Sequence, residues 1–213
     1  MTQVSLSILS ADFLHLQDQL SRVEPFVDRL HYDVMDGHFV DQISFGLPLL
    51  KELKTKLPID AHLMVTNPEE QAKDYAEYSD VVYIHEETLQ GKNIQAIVED
   101  ITSAGSHAGI TINPETTAED LEPILKYFTH VLVMSVHPGA GGQECILETL
   151  DKIPEIKNLK PDIIIAVDGG MNEDTAPIAN KKGADVIVSG SFVLKSKNPK
   201  QSAESLRCLP PQE

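Results

Sequence analysis

Tryptophan is absent from this 213-residue chain, and aromatic residues amount to 5%. A core built here must rest on Ile, Leu, Val, Ala and Met. Basic residues are also scarce, with 17 Lys and Arg against 33 Asp and Glu, a formal net charge of −16. That balance lacks the basic footprint that nucleic acid or an anionic membrane demands. Any bound anion must therefore be held by local backbone groups or dipoles against the overall field. The two cysteines, Cys145 and Cys208, have no CxxC or paired spacing, which points to a reduced cytosolic compartment. No apolar run approaches the roughly 18 residues of a membrane span. The opening MTQVSLSILSADF has neither a basic region nor a long apolar stretch, so no secretory leader is expected. A cytoplasmic protein with no nucleic-acid or membrane partner is the expectation.

What is present is an alternation. Short apolar runs at 4–9, 30–35, 59–65, 80–87, 108–114, 130–138, 162–170 and 185–191 each precede a polar segment of helical period. Asn67 before Pro68, and Thr116 three residues ahead of Glu119, read as helix N-caps. Runs such as DIIIAV and DVIVSG are apolar on both faces, as parallel strands covered by helices must be. Eight β-then-α units over 213 residues predict a single domain, 1–213, with the (β/α)8 TIM-barrel fold. An open doubly wound sheet is the runner-up, and the absence of GxGxxG after the first strand counts against it.

In RLHYDVMDGHFV (29–40), strand alternation puts His31, Asp33 and Met35 on one face. His62 in DAHLMV and Asp168 in IAVDGG occupy matching positions near the ends of the third and seventh strands. A TIM barrel builds its active site at those ends. Two imidazoles and two carboxylates converging there suit one divalent ion, Zn, Fe, Mn or Co. No lysine or arginine lies within the apolar runs to neutralise the aspartates. Asp36 and His38, past the strand end, read as turn-shaping groups.

The late turns HPGAGGQ (137–143), VDGGMN (167–172) and VSGSFV (188–193) are glycine-rich, and loops after strands seven and eight are the usual phosphate cradle of this fold. HPGAGGQ also has the composition of a lid. Met35, Met64 and Met134 fall on the inward parity beside the proposed ligands. They are either core filling or an apolar floor to the site. Among the remaining histidines, His15, His107 and His130 read as structural or solvated. His38, His85 and His137 lie near the mouth, and His85 is the best of them for contacting a ligand residue.

SILSADF, HYDVMDGHFV, DAHLMV, MSVHPGAGGQ, VDGGMN and SGS occur in the order and spacing of the ribulose-phosphate 3-epimerase family, which the chain resembles over nearly its whole length. The resemblance implies a metal held by His31, Asp33, His62 and Asp168, with Asp33 and Asp168 as the acid/base pair. It further implies substrate contacts from Ser7 and His62, and phosphate contacts at Gly141, Gly142, Gly169, Gly170, Gly190 and Ser191. The implied reaction interconverts ribulose 5-phosphate and xylulose 5-phosphate through an enediolate, in a homo-oligomer of two or more copies. Four positions depart from the usual pattern: Leu6 replaces a proline, Asp41 another proline, Gln42 an asparagine, and Ala140 a phenylalanine of the lid. Allulose 6-phosphate 3-epimerase is the alternative activity, and HEET (85–88) is similar to that sister family's fourth-strand block. A non-catalytic sugar-phosphate-binding paralogue is a further alternative. Barrel decarboxylases and lyases generally carry a lysine beside the strand-two aspartate, which HYDVMD lacks.

Overall fold

The computed structural model describes residues 1–207; Cys208 and the CLPPQE tail lie outside the described residues. Eight parallel strands close into a barrel in chain order. They are β1 (Gln3–Ser7), β2 (Arg29–Met35), β3 (Ile59–Met64), β4 (Val81–His85), β5 (His107–Ile112), β6 (His130–Met134), β7 (Ile164–Asp168) and β8 (Val186–Ser189). Each predicted apolar run overlaps one strand, and the closed barrel meets the TIM-barrel expectation. Several runs continue beyond the strand's C-terminal end, because the same apolar residues continue into the loops that border the barrel mouth.

Helices α1 (Leu16–Val23), α2 (Leu47–Glu52), α3 (Ala72–Ala76), α4 (Ile94–Ser103), α5 (Ala118–Leu121), α6 (Lys152–Leu159), α7 (Ala176–Lys182), α8 (Ser191–Leu194) and α9 (Pro199–Leu206) follow the strands. Local chemistry sets their ends. Asn93 accepts from the Ala96 amide to start α4, and Ile97 and Ile101, one turn apart, face inward. The capping residue of α5 is Thr117, not Thr116: Thr117 and Asp120 form a reciprocal capping box. Thr116 is drawn away because its hydroxyl donates to Glu87. Asn67 does sit at the N-cap of the turn Pro68–Glu70, but its side chain makes no capping bond.

Outward-facing strand residues such as Val4, Leu6, Leu30, Leu63, Ile84 and Ile110 pack under the helices in one large apolar cluster. A smaller cluster, with Val81, Tyr83, Leu132, Ala166, Val186 and Val188, fills the barrel interior. Gly109 makes room for the Tyr83 ring there, since a Cβ at that position would fall 2.4 Å from Tyr83 Cδ1.

The closed interior also carries charge. Arg29, which the sequence pattern left outside the second strand, begins β2 and grips Asp60 of β3 at 2.6 Å through Nη2 and 2.9–3.0 Å through Nε. The Ser5 hydroxyl donates to the same carboxylate at 3.0 Å. This ion pair belongs to the N-terminal end of the strands. It leaves the aspartates at the other end without a cationic neighbour from Lys or Arg.

Candidate active site

Strand register assembles the predicted residues. Asp33 lies directly beside His62 in the β2–β3 ladder, and Ser7 beside His31 in the β1–β2 ladder. Asp168 closes β7 opposite Met134 of β6. Inside the closed barrel these neighbours meet across the mouth. One donor atom from each of His31, Asp33, His62 and Asp168 falls within 4.8 Å of all the others. His31 Nε2 is 3.3 Å from Asp33 Oδ1, 3.3 Å from His62 Nδ1 and 3.7 Å from Asp168 Oδ2. His62 Nδ1 is 3.1 Å from Asp33 Oδ1 and 4.0 Å from Asp168 Oδ2.

These separations fit a metal ion. Bonds of about 2.0–2.2 Å in near-tetrahedral array put donor atoms roughly 3.3–3.6 Å apart. The donor set, two imidazoles with two carboxylates, suits a first-row divalent ion. Both imidazoles are fully buried and Asp33 nearly so, and His31 Nδ1 has no hydrogen-bond partner among the described residues. Two carboxylates and two imidazole nitrogens converging in one buried place suit a cation.

The side chains push one another's protonation apart. Burial lowers His31, but the Asp33 carboxylate overrides it and the group ends raised to about 9. Burial takes His62 down to about 3 against the opposing bond from Asp33. Asp33 is buried too, yet the charge of His31 and its hydrogen bond hold the carboxyl well below the usual carboxylate range. Asp168 goes the other way: burial, opposed by His31 and reinforced by the Asp33 charge, pushes it up to about 7. Two carboxylates with opposite shifts in one pocket make a natural base and acid.

A cavity of about 730 Å³ opens at the C-terminal ends of the strands. Asp33 and Asp168 are on its wall, together with Ser7, Met35, Met64 and Met134. The glycine turns border the same space through Gly141, Gly142, Gly169, Gly170, Gly190 and Ser191. His31 and His62 sit behind that wall, with no exposed surface. Gly170 needs to be glycine on two counts: its φ is +62°, and a Cβ there would lie 2.3 Å from the Cys145 backbone nitrogen. Met35 and Met64 pack with Val40, Leu9 and Phe39 into a small apolar layer, while Met134 belongs to the barrel-interior cluster. Gln42 and Ala140, two of the departures from the family pattern, line one adjoining hollow of about 400 Å³. Asp36 shapes the loop, as its position suggests, accepting from the His38, Phe39 and Thr66 amides at 2.8 Å.

Sequence reasoning missed several supporting groups. The Ser44 hydroxyl donates to the Asp33 carbonyl at 2.6 Å, and the Ser135 hydroxyl to the carbonyls of Asp168 and Gly169 at 2.9 and 2.6 Å. His85 meets His62, as its place near the mouth suggests, and Glu87, which sequence reasoning did not single out, bonds His85. The one sequence signal for this last group was an acid two residues after the strand-four histidine.

Comparison with known proteins identifies the family. The ribulose-phosphate 3 epimerase family profile matches residues 3–194. Ribulose-phosphate 3-epimerase of Mycobacterium tuberculosis (strain ATCC 25618 / H37Rv) is 40% identical over 211 residues, covering 96% of this chain and 91% of that protein. The enzyme of the same name from Bacillus subtilis (strain 168) is 36% identical over 216 residues, covering 97% and 99%. That of Methanocaldococcus jannaschii is 39% identical over 214 residues, covering 97% and 90%. Among solved structures, 3-hexulose-6-phosphate synthase from Salmonella typhimurium superposes with a TM-score of 0.73 at 15% identity, covering 96% of each chain. The 3-keto-L-gulonate-6-phosphate decarboxylase from Vibrio cholerae gives 0.73 at 12% identity, covering 96% and 95%. At such identities these two share the fold.

Proposed function

The chain belongs to the ribulose-phosphate 3-epimerase family, and from that premise we propose that it interconverts ribulose 5-phosphate and xylulose 5-phosphate with Asp33 and Asp168 as its two bases. The observation that carries this reading is the placement of those carboxylates. They stand on different strands, β2 and β7, and both border the same cavity.

Inverting C3 of a 2-ketose phosphate means removing a proton α to a carbonyl from one face and returning one on the other. A planar enediolate lying between Asp33 and Asp168 presents one face to each. Asp33, held ionised by His31, is ready to accept a proton. Asp168, pushed up to about 7 by burial, can carry one near neutral pH. In the reverse direction the roles exchange. Ser7 donates to Asp33 Oδ2, which leaves Oδ1 turned toward His62 and His31 and fixes the plane of the carboxylate. The methionines exclude water beside the reacting carbon, which strengthens the electrostatics there.

His31, Asp33, His62 and Asp168 would hold one divalent ion, Zn, Fe, Mn or Co. When bound, the ion supplies positive charge beside the substrate oxygens where negative charge develops as the C3 proton leaves. In an acidic chain the phosphate is met by backbone N–H groups of the glycine turns, at Gly141, Gly142, Gly169, Gly170, Gly190 and Ser191. A cytoplasmic homo-oligomer of two or more copies completes the reading.

Steady-state kinetics on ribulose 5-phosphate and allulose 6-phosphate test it. The expected result is a kcat/KM for the five-carbon sugar well above that for the six-carbon one. The reverse preference overturns the substrate assignment. No solvent deuterium entering C3 of either sugar, with metal supplied, leaves only binding and overturns the enzymatic reading.

A further inference from the structure

His62 is not alone in the dry interior. Its Nε2 lies 2.9 Å from Nε2 of His85 on β4. The ring planes are within 23° of each other and the centroids 5.0 Å apart. With nitrogens only 2.9 Å apart, rings so nearly parallel meet edge to edge, as an N–H···N bond requires, and not face to face. The other nitrogen of His85, Nδ1, is 3.0 Å from Glu87 Oε2. Glu87 Oε1 accepts from the Asn113 amide at 2.8 Å and from the Thr116 hydroxyl. His85 is fully buried, and its ring lies 4.5 Å from that of Phe39.

The order of donors and acceptors along this chain is forced from its outer end. Burial opposes the charge, but the bonds from His85, the Thr116 hydroxyl and the Asn113 amide hold Glu87 as a carboxylate, whose two oxygens can only accept. His85 must then offer Glu87 an Nδ1–H, which leaves a lone pair on His85 Nε2. That lone pair requires His62 to carry its proton on Nε2, and His62 Nδ1 is left bare. Nδ1 is the atom aimed at Asp33 Oδ1 and at His31 Nε2.

We propose that Glu87, acting through His85, fixes the tautomer of His62 so that its Nδ1 stands as a lone pair facing the metal position. The proposal rests on the metal-site reading above. Glu87 and His85 are positioning residues; neither borders the main cavity. A ligand histidine held by a carboxylate commonly takes one bond, and here the hold runs through a second imidazole. His31 has no such support, since its Nδ1 is buried and unpartnered. The two imidazoles of the site are therefore unequal, with His62 prepared for the ion by the fold.

Glu87→Gln is the informative change. The glutamine oxygen is claimed by the fixed Asn113 N–H, so its NH2 turns to His85 Nδ1 and demands a lone pair there. The His85 proton moves to Nε2, and that of His62 is driven to Nδ1, where it blocks the ligand atom. Two measurements on the full chain read this out. Long-range proton–nitrogen NMR of the metal-free chain, labelled with ¹⁵N-histidine, gives the His62 tautomer. Competition with a chromophoric chelator gives the Zn²⁺ dissociation constant.

The native chain is expected to show His62 protonated on Nε2. Glu87→Gln is expected to shift it toward Nδ1–H and weaken Zn²⁺ binding by about 10- to 100-fold at an unchanged circular dichroism spectrum. A native His62 protonated on Nδ1 overturns the proposal, and that arm needs no variant. Native Zn²⁺ affinity and tautomer retained in Glu87→Gln overturn it as well, leaving the metal site intact. A native chain that takes up no Zn²⁺, Mn²⁺, Fe²⁺ or Co²⁺ removes the metal-site reading itself and the proposal with it.

Discussion

The Ser7 hydroxyl donates to Asp33 Oδ2 at 2.7 Å across the seam between β1 and β2. Both side chains are buried, so the bond is made where water competes little. Hydrogen bonds to charged groups contribute about 1.5–3 kcal/mol. Ser7→Ala removes the donor while Leu9 loses only a weaker contact at 3.3 Å. The variant should lower kcat on ribulose 5-phosphate by about 10- to 100-fold on that scale. An unaltered kcat would mean that the carboxylate plane does not depend on Ser7.

Asp33→Asn and Asp168→Asn should each reduce turnover by about 10²–10⁴-fold, the usual worth of a positioned acid or base. The two variants should differ in isotope exchange. Each retains one carboxylate, so a substrate whose C3 proton faces the surviving base can still lose it to solvent. Deuterium uptake without inversion, for opposite epimers in the two variants, is the expected pattern. Near-wild-type epimerisation in either variant excludes the two-base mechanism.

Chelator treatment should abolish activity, and Zn²⁺, Mn²⁺, Fe²⁺ or Co²⁺ should restore it. Binding to the folded chain alone also stabilises it, by about 2.7 kcal/mol at a free ion concentration of 100 Kd. For a chain of this length that is a rise of roughly 5–10 °C in melting temperature. Melting curves of the treated and reloaded protein read it directly, and an absent shift argues against ion binding by these four side chains.

Arg29→Met tests the opposite end of the barrel. It leaves Asp60, 2% exposed, with the Ser5 hydroxyl but without its cation. Removing one partner of a buried ion pair costs about 3–5 kcal/mol. Urea unfolding should show that loss. Because Asp60 and the cavity lie at different ends of the strands, kcat/KM measured well below the melting temperature should stay near wild type.

His130, at the start of β6, gives a pH signature in stability. Burial first, then the His107 ring and Arg29, bring its pKa from the usual 6.5 down to about 4. Between those values the unfolded chain takes up a proton that the folded chain refuses. Stability therefore rises with pH across that window and is lost as pH falls through it. Between pH 7 and pH 5 the loss from this one group is about 2 kcal/mol. His130→Gln should remove that share of the pH dependence, and parallel slopes for both proteins in urea midpoints would refute it.

The sequence by itself determined the eight strands, the face on which His31 and Asp33 lie, and the placing of His62, Asp168 and the glycine turns at strand ends. Period-two alternation, apolar runs and turn residues are local properties, so they can be read from neighbours in the chain. The eight repeated units also pointed to a barrel, with an open doubly wound sheet as the runner-up. What the chain could not display is contact between strands. The 3.1 Å approach of His62 to Asp33, the bond from Ser7, and the line from His62 through His85 to Glu87 all depend on register and barrel closure. The same is true of Arg29 and Asp60, 31 positions apart, and of Thr116, whose hydroxyl serves Glu87 while Thr117 caps the helix. A buried polar group takes whichever partner the fold brings within 3 Å, and only the tertiary structure decides which one that is.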